Sequence, residues 1–171
     1  MKLLTEQQIK EIWNMQKSLD KYIRKNNDIP IDKNLNSEKF LALKTELFEF
    51  VNEIESFKYW KKNKGKSHIL EEACDMLHFI FSIAIDNDIK IVQLEKLVKD
   101  VDEKEYDLNE LLIIIDDLIS DCFFTDDWGD INAIITFLSV VLNLCNFTTD
   151  DLYNAYIEKN KVNVERQQNN Y

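Results

Sequence analysis

Apolar residues recur along the chain at the three- and four-residue intervals of amphipathic helices. Ile9, Ile12, Trp13, Leu19 and Ile23 mark one face of a first helix, opened by Thr5 and Gln8 in a capping-box pattern and running to about Lys25. The segment "NNDIPIDKNLN" is a loop. A second helix, with Ser37 as its cap, runs through Trp60, and Leu47, Phe50, Val51, Ile54 and Phe57 form its apolar arc. The lysine-rich loop "KKNKGK" leads to a third helix, capped by Ser67 and reaching about Asp86, with Leu70, Ala73, Leu77, Ile80, Phe81 and Ala84 inward. Further helices are expected over 89–104, 107–122 and 129–146, and a last one starts at Thr148 or Thr149. No internal repeat or low-complexity segment interrupts this series of about seven.

Composition supports the same picture. Of 171 residues 45% are hydrophobic, which argues against disorder, while only two glycines and one proline are available for turns. The expected fold class is all-α, a helical bundle in one domain spanning 1–171. The net charge of −11 argues against binding duplex nucleic acid, which demands cations for its phosphates. Residues 100–130 carry twelve acids against the single base Lys104, so that segment by itself accounts for −11. Its plain reading is a solvated helical surface, and a docking surface for a basic protein regulator is the alternative. Cys74, Cys122 and Cys145 are odd in number and set among apolar residues, as in a reduced cytoplasmic protein. The longest apolar runs, such as "LLIII" at 111–115, are too short to span a bilayer, and no signal peptide opens the chain.

The second and third helices carry the chemistry. Glu46, Glu49 and Glu53 keep the i, i+3, i+7 spacing of one helix face beside an apolar arc. In "LEEACDMLHFIFSIAID", Glu72 and Asp75 repeat the arrangement three residues apart. Two helices joined by a short loop pack antiparallel, so both acidic pairs face one cleft. Four carboxylates converging on a partly buried place repel one another and lose hydration; a hard divalent cation removes the conflict. Oxygen-only ligands suit Mg²⁺, which also binds phosphate. Histidine is missing from the E-x-x-H position that a di-iron bundle requires.

The pattern Glu46-x-x-Glu49 followed by Glu72-x-x-Asp75 resembles the signature of the all-α nucleoside triphosphate pyrophosphohydrolases. "FKYWKK" and "DMLHF", with the tail "YIEKNKVNVERQQNNY", look like the dimeric dUTPase branch of that superfamily. In the tail the matching positions are Lys159, Asn160, Asn163, Arg166, Gln167 and Tyr171, and Gln16 in "MQKSLDKYI" fits the first motif. Asp20 stands where many relatives carry asparagine, and Asn170 where glycine is usual. The acidic helical stretch 95–130 matches no motif and is expected to be the variable part.

The resemblance implies a four-helix metal-binding core and hydrolysis of dUTP, and of dUDP, to dUMP, limiting uracil entry into DNA. It implies Glu46, Glu49, Glu72 and Asp75 as Mg²⁺ ligands, with Glu49 or Glu46 also activating water. Lys159, Asn163 and Arg166 lie at i, i+4, i+7 on the last helix and would hold phosphate, with Lys58 and the lysines after it steering the anion. Phe79 would stack on the base with Trp60 opposite, and Gln16 and His78 would bond the ring edge. A homodimer is also implied, and some phage-encoded members of such a class bind repressors. Two competing readings are a related pyrophosphohydrolase acting on dCTP or of MazG-like type, and a non-catalytic helical protein that binds a regulator through 100–130.

Overall fold

The computed structural model describes residues 2–62, 67–104, 106–125 and 128–169, the side chains of 102–104 excepted. Among them are seven helices: α1 (Glu6–Asn26), α2 (Asn36–Ile54), α3 (Ile69–Asp86), α4 (Glu95–Lys104), α5 (Leu108–Thr125), α6 (Gly129–Leu144) and α7 (Thr149–Gln168). No strand occurs among the described residues, so the all-α expectation holds. Two helices begin where the caps predict. The Thr5 hydroxyl accepts from the Gln8 amide, and the Thr148 hydroxyl from the Asp151 amide, each completed by the return bond of a capping box.

Several boundaries differ from the sequence expectation: α5 runs on to Thr125 and α6 ends at Leu144, and four other differences have a visible cause or a different cap. α2 stops at Ile54 instead of continuing through Trp60, because Glu55 takes a left-handed conformation (φ 59°, ψ 18°). Its amide still bonds the Val51 carbonyl at 3.0 Å, while its carboxylate, in a residue only 2% exposed, is held by Lys58 at 2.9 Å and by Lys61. The turn that reverses the chain therefore has an ionic clasp, and Phe57, placed on the apolar arc by periodicity, is 43% exposed. α2 opens at Asn36 without a Ser37 cap: the Asn34 side chain accepts from the Asn36 amide at 2.8 Å. His68 instead of Ser67 occupies the cap position of α3.

α4 begins at Glu95, six residues later than the pattern suggests, because α6 captures the preceding segment. The Val92 amide bonds Asn132 Oδ1 (2.8 Å), the Leu94 amide bonds Thr136 Oγ1 (3.0 Å), and Gln93 Nε2 donates to Ser139 Oγ (2.6 Å). Polar side chains on a mostly buried helix thus satisfy backbone groups that a longer α4 would have satisfied itself.

α3 is the central rod, packed against α1, α2, α6 and α7. It is apolar nearly all round, with Ala73, Met76, Leu77, Ile80, Phe81, Ile83 and Ala84 fully buried. Cross-links give the directions of its neighbours. Lys39 with Asp86, and Glu46 beside Asp75, set α2 antiparallel to α3. Gln16 with His78 and Ser82 with Asp20 set α1 parallel to it, and Lys159 with Asp75 followed by Asn163 with His78 sets α7 parallel as well. α5 covers α2 and α6, away from these polar contacts. Leu77, wholly enclosed on α3, tests this centre: Leu77→Ala is expected to lower the unfolding free energy by ~2–5 kcal/mol in urea titration.

Candidate active site

Antiparallel pairing of α2 and α3 brings three carboxylates together. One oxygen each from Glu46, Glu72 and Asp75 lies within 4.8 Å of the others, and all three residues are half-buried. Lys159 reaches in from α7 and bonds Asp75 Oδ2 at 2.8 Å and Glu71 Oε1 at 2.9 Å. Glu49, one turn along α2, is exposed and stands outside the trio, although its charge still acts on Glu46 and Glu72.

The electrostatics follow from crowding. Burial first, then the charges of Asp75, Glu49 and Glu72, push the Glu46 carboxyl up to about 7, with Lys159 opposing. Burial, then Asp75 and Glu49, raises Glu72 as well. Burial also raises Asp75, against the hydrogen bond and charge of Lys159. Each group is thus less willing to ionise than in water, and one lysine does not neutralise three carboxylates. A divalent cation together with that lysine would. The donor set is all oxygen, which suits a hard ion such as Mg²⁺ or Mn²⁺ over a nitrogen- or sulfur-seeking metal.

Beside the trio opens a cavity of about 400 Å³ between α1, α2, α3 and α7. Glu46, Asp75 and Lys159 stand at one end, with Asn163 and Arg166 along the α7 wall. Phe79 from α3 and the apolar side chains of Leu19, Ile23, Ile29 and Leu35 also line it. Gln16, Asp20, Ser82 and Lys39 line it farther from the carboxylates along their helices.

A buried hydrogen-bond chain fixes the floor. The Asp20 carboxylate accepts from Ser82 Oγ and from Gln16 Nε2, both at 2.7 Å. Because a carboxylate only accepts, the Gln16 amide must turn its Oε1 the other way, toward Tyr156 Oη and His78 Nδ1, each at 2.7 Å. Nδ1 therefore carries the proton and Nε2 is left to accept from Asn163 Nδ2 at 3.4 Å. Burial holds His78 down to about 3, so the ring is neutral, and it stacks on Tyr156 with centroids 4.3 Å apart.

Besides Glu46 and Asp75, six of the eight positions expected to bind substrate thus share this cavity or its rim: Gln16, His78, Phe79, Lys159, Asn163 and Arg166. Two others do not. Lys58 is held by Glu55, and Trp60 is 66% exposed; neither lines the cavity within one chain. Lys64, Lys66 and Tyr171 lie outside the described residues. Periodicity alone overlooked Ser82, Lys39 and Tyr156. A signal was present, since Ser82 follows His78 by one helical turn, Asp20 follows Gln16 likewise, and Lys39 precedes Glu46 by seven residues.

The Glu46 shift has a definite sign. A carboxyl raised from 4.5 to about 7 leaves the metal-free protein most stable below 4.5, and that stability is lost as pH rises through 7. Thermal melts of the metal-free protein are expected to show a fall in Tm between pH 5 and 8 that Glu46→Gln reduces. Mg²⁺ should restore the wild-type Tm more strongly at pH 8 than at pH 5.

Comparison with curated proteins gives no match. A family model described as dUTPase matches residues 8–171, from the start of α1 through the last helix. That span includes all four helices around the cavity, so the chain belongs to the dUTPase family in its all-α form, and its activity is that of a dUTP diphosphatase.

Proposed function

We propose that this enzyme hydrolyses dUTP to dUMP and pyrophosphate in a Mg²⁺-dependent reaction, accepts dUDP as a second substrate, and so limits uracil entry into DNA in the cytoplasm. One observation carries the metal assignment: the Glu46, Glu72 and Asp75 oxygens gathered within 4.8 Å at the end of a cavity whose α7 wall supplies Lys159, Asn163 and Arg166. Membrane spanning plays no part in this reading, and no single helix among the described residues is long and apolar enough for it.

Glu46, Glu72 and Asp75 would hold the ion, with Glu49 adjoining from the exposed side of α2. Bound there, Mg²⁺ supplies Lewis-acid stabilisation of the phosphate charge. The chain's own groups do the rest. Lys159 now bonds Asp75 and Glu71; an arriving polyphosphate competes for the same ammonium and finds a point charge already in place. Arg166 offers a guanidinium on the same α7 face, suited to two parallel bonds with phosphate. Glu49, outside the trio and open to solvent, is the carboxylate we assign to orient and deprotonate water. His78 has both ring nitrogens engaged and acts by fixing Gln16 and Asn163.

A homodimer belongs to this proposal. Phe48 and Val51 of α2 and Ile113 of α5 line an outer groove, and Leu41, Phe48, Ile113 and Phe124 are each more than half exposed on these two helices. An apolar surface of that kind calls for a partner. The exposed Tyr59 and Trp60 are then available to a neighbouring subunit's cavity.

Two measurements test the proposal. Pyrophosphate release from a panel of dUTP, dCTP and dTTP should favour dUTP, require Mg²⁺, and fall by about a hundredfold or more in Asp75→Asn. Preference for dCTP would replace the substrate, and metal-independent turnover would remove the carboxylate role. Sedimentation should give a dimer that Phe48→Glu with Ile113→Asp converts to monomer; a wild-type monomer at micromolar concentration would contradict the dimer.

A further inference from the structure

Lys159 stands between two carboxylates, and only one of them belongs to the trio. Its Nζ lies 2.8 Å from Asp75 Oδ2 and 2.9 Å from Glu71 Oε1. Glu71 and Asp75 are four residues apart on α3, so one helical turn offers α7 two acidic posts about 6 Å apart along the axis. Asp75 lines the cavity together with Lys159, whereas Glu71 is neither a wall of the cavity nor one of the three converging acids. Its side chain is 47% exposed. Glu71 thus reaches the ammonium from outside the site.

The outer post is itself braced. Glu71 Oε2 bonds His68 Nδ1 at 3.0 Å, which leaves Oε1 to Lys159. The His68 carbonyl accepts from the Glu72 amide at 3.0 Å, so the brace and the trio share the first turn of α3. Hydrogen bonds from Lys159 and then His68 hold the Glu71 carboxyl below its ordinary range, which keeps it ionised. The Lys159 side chain is only 15% exposed. Burial opposes its charge, and the hydrogen bonds and charges of Asp75 and Glu71 together outweigh that cost. Without Glu71 the ammonium would have Asp75 and, beyond it, the charges of Glu46 and Glu72 as compensation. A lysine is a point charge on a flexible stem and settles where the field is deepest. That place is the one a divalent cation needs.

Resting on the metal-dependent reading above, we propose that Glu71 is a positioning residue: it holds the Lys159 ammonium at the cavity wall, so that the lysine neither fills the carboxylate trio nor turns away from phosphate. An ammonium has three N–H donors. In the structure one serves Glu71 and one serves Asp75. The bond to Asp75 is the one given up in favour of phosphate, and the bond to Glu71 is the one kept. Glu71 itself touches neither the nucleotide nor the reacting atoms. Its exposed position also suits it to carry a charge that the half-buried trio could not hold in addition to its own.

The test is a double-mutant cycle of Glu71→Gln and Lys159→Met, read by Mn²⁺ binding to the nucleotide-free protein. Each titration returns a dissociation constant and a number of sites per chain, so any misfolded fraction appears in the second figure alone. Glu71→Gln should weaken Mn²⁺ binding by about three- to tenfold where Lys159 is present, and by less than about twofold in the Lys159→Met background. Equal weakening in both backgrounds would mean that Glu71 acts through its charge alone, and overturns the proposal. No weakening in either does the same. At saturating Mg²⁺ the KM for dUTP should rise about threefold or more in Glu71→Gln with kcat within about twofold of the wild type. An unchanged KM counts against the role as well. A wild type that binds no Mn²⁺ defeats the metal-dependent reading and this role with it, whereas a wild type that binds the ion, with additive effects of the two substitutions, defeats the role of Glu71 alone.

Discussion

Repulsion among half-buried carboxylates is the constraint around which this protein is arranged. Glu46, Glu72 and Asp75 are brought together by the antiparallel packing of α2 on α3, which the buried residues Leu43, Leu47 and Phe50 and the apolar circumference of α3 enforce. Hydrophobic burial thus creates an electrostatic conflict, visible in the raised affinity of all three acids for protons. Lys159 relieves part of it by a direct bond to Asp75. The remainder is a standing preference for a divalent cation, and a negatively charged nucleotide can approach so acidic a place once that cation is present.

The second organising feature is the amide of Gln16. It ties α1 to α3 through His78, to α7 through Tyr156, and back to its own helix through Asp20. Every hydrogen in that chain has its direction fixed by a carboxylate that only accepts. Buried networks of this kind are costly when half-satisfied and specific when complete. Here the network spans the cavity floor from Asn163 to Ser82, so the helices that hold the carboxylate trio also hold the opposite end at a set distance.

Much of this was legible in the sequence. Scarcity of glycine and proline gave the helical class, and the threonines at 5 and 148 placed two helix starts. The paired acids pointed to one cleft because helix periodicity fixes relative faces. What stayed hidden depended on tertiary partners. Nothing in local pattern shows that Glu55 is clasped by Lys58 and Lys61 and ends α2 early, or that Asn132, Thr136 and Ser139 on α6 hold 92–94 out of a helix. Glu49, one turn after Glu46, is exposed and outside the trio, although its charge still reaches Glu72. Lys39 and Ser82 looked like ordinary helix polar residues until packing enclosed them.

The most direct test of the central claim is a Mn²⁺ titration followed by electron paramagnetic resonance at pH 8, on the wild type and Asp75→Asn. Loss of the free-ion signal in the wild type, saturating at a fixed ion-to-chain ratio and strongly weakened in the variant, is the predicted result. Equal binding by both proteins, or none by either up to millimolar ion, would contradict it.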